Sequence, residues 1–133
     1  MKRTKEQLMA DIELPRVVDS KLMSLRSACE EAICSGFKSS ALGQEHTYGS
    51  DRDDQLNLLG LAGLVADTPI KCFDGVVWSY KLHTPEQVNV LLDDGRAHKY
   101  THLLSFHGKR SQIYGILEAD LPSEDKVTNI NSL

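Results

Sequence analysis

The most informative features of this sequence are at first its omissions. No apolar run in the 133 residues approaches the ~18 that a bilayer crossing requires, so a membrane-spanning segment is not expected. The opening stretch MKRTKEQLMADIEL begins basic and then turns polar and acidic; it lacks the apolar stretch and small-residue cleavage site of a secretory signal, and export is not expected either. There is no surplus of positive charge: the net charge is −4 and the basic residues are scattered, which makes nucleic acid a poor partner. Cysteine is sparse. Cys29, Cys34 and Cys72 are an odd number without a C-x-x-C pair, which argues against a disulfide framework and a zinc site and for reduced, mostly buried thiols. Internal repeats and low-complexity tracts are missing as well. What remains, at this length and composition, fits one globular domain.

The residues present read as alternating helical and extended stretches. Thr4 with Gln7 three residues on resembles a capping box and predicts a short helix to about Glu13, with Leu8, Ile12 and Leu14 as a thin apolar edge. Pro15 is expected to break the chain there, leaving residues 1–15 as an N-terminal arm and 16–133 as the globular domain. From Arg16 to Ser35, Val18, Leu22, Leu25, Cys29, Ala32 and Ile33 recur three or four apart, the spacing of an amphipathic helix. Gly36 is placed to end that helix in the left-handed conformation, with Phe37 folding back in a Schellman ending. Residues 37–42 and 46–48 then read as two short strands around a glycine-containing turn.

Ser50 is a good N-cap before Asp51, Asp53 and Asp54, whose charges suit the first turn of a helix over 51–66. Leu56, Leu58, Leu59, Leu61, Leu64 and Val65 make that helix apolar around most of its girth, and it is expected to be the central, most buried one. Residues 70–83 read as a hairpin centred on Asp74-Gly75, a preferred two-residue turn that would pair Phe73 with Val76. Alternation puts Val76, Trp78, Tyr80 and Leu82 on one face, expected to cover the core with Trp78 as its anchor. On that reading Trp78→Ala would cost about 3 to 5 kcal/mol. Thr84, Pro85 and Gln87 form a second helix start, and a long helix over 84–119 comes next, with Asp93-Asp94-Gly95 and Gly108 as weak points. The expected architecture is α+β: three main helices (16–35, 51–66, 84–119) packed with a small antiparallel sheet that includes the hairpin.

Candidate chemistry is thin. His98 and His102 lie four apart with His107 beyond, but a metal site needs three or four ligands in fixed geometry. His46, Tyr48 and Asp54 suit a hydrogen-bonded turn as well as an acid/base group. Cys34 near His46 carries no local signature of a nucleophile, and the acidic Glu118, Asp120, Glu124 and Asp125 lack the ligand alternation of a calcium loop. No catalytic activity, cofactor, metal or small-molecule substrate is therefore expected.

One stretch carries more. GFKSSALGQEHTYGSDRDDQLNLLGL, from Gly36 to Leu61, with Trp78, His83-Thr84 and a long helix after it, resembles a domain of unknown function found at or near the C-terminus of tail proteins of tailed bacteriophages. The resemblance spans about Ser20 to Ile130. It implies a non-enzymatic structural protein of a phage tail, in the virion after assembly in the host bacterial cytoplasm. Its expected partners are fibre, baseplate or tube proteins, or copies of itself. The alternative is a tail fibre assembly chaperone absent from the finished particle. The arm, through Leu8, Ile12 and Leu14, is the expected docking segment.

Overall fold

The computed structural model describes residues 2–133. Four helices, α1 (Lys5–Ile33), α2 (Arg52–Gly60), α3 (Pro85–Glu118) and α4 (Ser123–Asn131), accompany four strands, β1 (Phe37–Ser39), β2 (His46–Tyr48), β3 (Thr68–Phe73) and β4 (Trp78–His83). The strands form one antiparallel sheet in the order β1-β2-β3-β4, and the protein is α+β. The chain divides into two compact units: one joins Met1–Cys29 with Leu103–Leu133, the other is Glu30–His102.

The Glu30–His102 unit holds the sheet. Its core is Phe37, Tyr48, Cys72 and Leu91, with Ala41, Leu42, Leu58 and Ile70 packed around them. Registers Phe37↔Tyr48 and Tyr48↔Cys72 put three of these side chains side by side on one sheet face, because opposed residues of antiparallel strands point to the same side. That inner face meets α3. Phe37 lies against Gly95, where an added Cβ would come within 3.3 Å of its ring, and the Ser39 hydroxyl donates to Asp94 at 2.5 Å. The glycine at 95 therefore does not break α3, which runs through Gly95 and Gly108 without interruption; at 95 the missing side chain is what lets the sheet approach. The helix starts as expected: Thr84 N–H donates to Gln87 Oε1 (2.8 Å) and Gln87 N–H to Thr84 Oγ1 (3.2 Å).

Several expectations fail in this unit. The helix predicted over 51–66 is only Arg52–Gly60 and contains no buried residue; Leu56, Leu59, Leu64 and Val65 are exposed, so α2 is peripheral rather than central. Its N-cap is Asp51, locked with Asp54 in a reciprocal capping box. Ser50 serves elsewhere: its hydroxyl donates to Ile33 O at 2.5 Å and accepts from Gly36 N–H at 2.8 Å. Gly36 does take a positive φ of 96°, but its N–H goes to Ser50 and not back to the helix as a Schellman ending requires. The hairpin turn is longer than two residues. Phe73 pairs with Trp78, and Asp74–Val77 close the turn, with Asp74 Oδ1 accepting from Val76 N–H (2.8 Å) and Val77 N–H (2.9 Å). A side chain that satisfies two turn amides stabilises the wider loop over the two-residue one.

The other unit is helical. Thr4 and Gln7 cap α1 reciprocally at 2.8 and 3.1 Å, as the sequence indicates. The expected break at Pro15 is absent, since Pro15 lies inside a continuous 29-residue α1. The turn before it is held in place: Ala10 is buried, and Asp11 accepts from Ser123 of α4 at 2.5 Å while pairing with Arg3 at 2.8 Å. Ile113 and Ile130 are fully buried here. These contacts offset the ~3 kcal/mol that an interior proline costs a helix.

Candidate functional site

Beneath the sheet lies a buried cluster of ionisable side chains, Tyr48, His83 and Cys72, each shifted by burial. Tyr48 Oη and His83 Nε2 are 2.8 Å apart and both residues are fully buried. His83 Nδ1 lies 2.7 Å from Lys81 O. A carbonyl can only accept, so Nδ1 carries the proton and Nε2 of the neutral ring accepts from the Tyr48 hydroxyl. Burial lowers the His83 pKa below its ordinary value, opposed by the bond to Lys81 O and assisted by His46. Burial likewise pushes Tyr48 up to about 12, with Cys72 adding to the effect through its charge and its hydrogen bond. Burial also raises the Cys72 thiol. All three groups are thus held neutral near pH 7, with their hydrogen bonds made inside the protein. Such an arrangement fixes side chains in place; it does not present a base or nucleophile to solvent.

The opposite face of the same strands is different. By the registers, the outer face carries Lys38 and Thr47 on β1 and β2, then Phe73/Trp78, Lys71/Tyr80 and Pro69/Leu82 on β3 and β4. Phe73 and Trp78 rings are 5.3 Å apart and Lys71 Nζ lies 5.7 Å from the Trp78 ring centre. The alternation expected for β4 is correct, but the side assigned to the core is wrong. Trp78 is 45%, Tyr80 72% and Leu82 65% exposed, and Val76, next to them in the turn, is almost wholly exposed. The face that α3 covers holds Cys72, Ile70 and His83 instead. Trp78 is thus no core anchor. Along β4 only His83 is buried, so this strand is open on both faces for most of its length, and as the last strand of the sheet it is paired along one edge only.

The other predicted positions do not converge on a site. Leu8 and Ile12 are exposed on α1 and Leu14 is half-buried; they lie on a helix and not on a separate arm. His98 and His102 stack edge to face at 4.7 Å, and His98 Nε2 donates to Ile33 O at 3.1 Å. No group of three or more His, Cys, Asp or Glu side chains that could hold a metal occurs among the described residues. Tyr48 pairs with His83 rather than His46, whose Nδ1 donates to Gln44 O at 2.9 Å, and Asp54 belongs to the α2 cap. Sequence reasoning misses the part played by His83; its place at the end of an alternating strand, directly before the Thr84 cap, is the local signal for an inward-pointing residue. Among the described residues no helix is long and apolar enough to cross a membrane.

Comparison of the chain with family models, with curated proteins and with solved structures finds no match.

Proposed function

We propose that this chain is a non-enzymatic structural component of a bacteriophage tail that acts through protein–protein contacts, with the outer face of β3 and β4 as its main contact surface. The observation that carries the contact role is the exposed set Trp78, Tyr80 and Leu82, with the half-buried Phe73 beside Trp78. Solvent-facing sides of antiparallel sheets are ordinarily polar, and a contiguous apolar patch with a polar rim marks a site where another surface docks. Lys38 and Lys71, exposed on the same face, lie beside it. Aromatic residues are also enriched at the centres of interfaces. Leu8 and Ile12, exposed on α1, remain a second candidate surface toward a tail partner.

The tail setting rests on the resemblance carried by the Gly36–Leu61 stretch together with Trp78, His83-Thr84 and the long α3. The test is mass spectrometry of purified particles from a host carrying the gene, with wild type beside a Trp78→Lys/Tyr80→Lys double variant. Wild-type protein is expected in the particle and the variant is expected to be lost from it. Presence in lysates but never in particles would transfer the function to the assembly chaperone. Equal incorporation of the variant would move the contact to another surface.

A further inference from the structure

We infer that β4 is a self-association edge: two copies of this chain pair antiparallel along Trp78–His83 about a two-fold axis at Tyr80, joining their sheets into one. The inference rests on the reading of the outer face as a contact surface and names its occupant as a second copy. It starts from backbone polarity. Asp74 N–H donates to Val77 O across the mouth of the turn, so at 74:77 the backbone groups that face each other are the hydrogen-bonding ones, although Val77 N–H goes to the Asp74 side chain. Bonded and non-bonded pairs alternate along an antiparallel ladder, so Phe73:Trp78, Lys71:Tyr80 and Pro69:Leu82 are the non-bonded ones. The last agrees, because Pro69 has no N–H to give. The N–H and C=O groups of Trp78, Tyr80 and Leu82 therefore point away from β3, toward the unpaired edge.

A strand whose free groups sit on three alternate residues is self-complementary in one centred register. Tyr80 faces Tyr80 of the second copy, and Trp78 faces its Leu82 in both directions, so all three outward residues meet as bonded pairs. The same register satisfies the side chains. On the outer face it lays Trp78, Tyr80 and Leu82 of each copy across one another, giving an aromatic pair at the axis flanked by two Trp–Leu pairs, the cross-strand combinations that stabilise sheets. On the other face Lys81 stands opposite Ser79, so the two lysines do not face each other. The devices that usually protect an edge are missing here: β4 contains no proline, and its single charge, Lys81, avoids itself in the pairing.

Size sets the strength. Scaling the ~200 Å² that a large aromatic side chain buries by the exposed fractions of Trp78, Tyr80 and Leu82, and adding the strand edge, gives about 500 Å² per copy. The total of roughly 1,000 Å² is at the lower limit for a specific interface. That area is an upper bound, because edge pairing leaves the outward tips of these side chains in water, and the dimer is accordingly weak and concentration-dependent.

The experiment is sedimentation velocity of the full chain from ~1 to ~300 µM, with fluorescence read in parallel, since Trp78 is the sole tryptophan. The expected result is a monomer–dimer transition with a blue shift of Trp78 emission at the same midpoint. Tyr80→Pro removes one outward N–H and leaves the β3 ladder bonds intact; it is expected to weaken dimerisation by tenfold or more. Tyr80→Lys/Leu82→Lys changes only exposed side chains and serves if the proline variant fails to fold. A wild type that stays monomeric throughout overturns the inference, as does dimerisation unchanged in the variants. A monomer whose particle incorporation still depends on Trp78 and Tyr80 would sink self-association alone and leave the tail-contact reading standing.

Discussion

The two faces of the sheet are built from the same strands and obey opposite rules. Inside, Phe37, Tyr48 and Cys72 stack across β1, β2 and β3, and Phe37 and Tyr48 sit with ring centres 5.7 Å apart. His83 closes the row edge-on to Tyr48. The polar atoms of this row are bonded internally and its carbon is out of water. Outside, the β1–β2 half bears Lys38 and Thr47, as a wetted face should, whereas the β3–β4 half bears Trp78, Tyr80 and Leu82 in solvent. Polarity along β4 is thus largely inverted relative to burial: its buried residue is a histidine, and of its four exposed residues only Lys81 is charged, the others being Trp78, Tyr80 and Leu82. Each exposed large apolar side chain forgoes about 1.5 to 3 kcal/mol of transfer energy.

Substitutions sharpen this contrast. The largest effect is expected for Tyr48→Ala, which removes a fully buried ring and orphans His83 Nε2; a loss of about 3 to 5 kcal/mol in chemical denaturation is the expectation. Tyr48→Phe isolates the hydroxyl and should cost about 1 to 2 kcal/mol, the penalty for a buried acceptor without its donor. Acid should then act through His83. Its folded pKa lies below the unfolded value of about 6.5, so above that pH both states are neutral and stability is full. As pH falls below it the unfolded chain takes up a proton first, and stability declines toward the folded pKa. Melting temperatures from pH 7.5 to 5 should fall, and less steeply in His83→Gln. Tyr48 acts at the other extreme: with a folded pKa of about 12 against about 10 unfolded, stability should be lost as pH rises from the lower value to the higher. The smallest effect is expected outside. Trp78→Ala, measured at low micromolar concentration, should change stability by less than about 1 kcal/mol; a loss as large as that of Tyr48→Ala would show the outer face to be core after all.

What is legible in the sequence depends on the range of the interactions. Thr4 with Gln7 and Thr84 with Gln87 are caps settled within four residues, and both are present at bonding distance. Alternation along β4 is equally local and correct. Which of its two faces a helix covers is decided by α3, through Leu91, Asp94 and Gly95, and no pattern within Trp78–His83 contains that information. Leucines at 56, 58, 59, 61 and 64 suggest a buried helix by their number alone, yet burial needs a partner surface; only Leu58 packs against the core. Pro15 misleads for the converse reason: the strength that carries α1 through it comes from Asp11 and Ser123, far apart in sequence. Leu8, Ile12 and Leu14 look superfluous to the core and so suggest a contact site, whereas the apolar β4 looks indispensable to it; neither impression includes the helix that does the covering.

Chain order adds a kinetic dimension. The sheet unit is one continuous stretch, Glu30–His102, fastened early by the Ser50 hydroxyl between Ile33 and Gly36, so its contacts close short loops. The helical unit is made from both ends of the chain, and the Ser123–Asp11 bond closes a loop spanning 112 positions. Loop-closure entropy must be met before such a contact rewards it. Folding is thereby ordered: the middle of the chain can fold as soon as it is complete, whereas the ends meet only once the C-terminal residues exist. Native-state hydrogen exchange should show the same order in reverse, with amides of α4 and the start of α1 opening at lower free energy than those of β2 and β3.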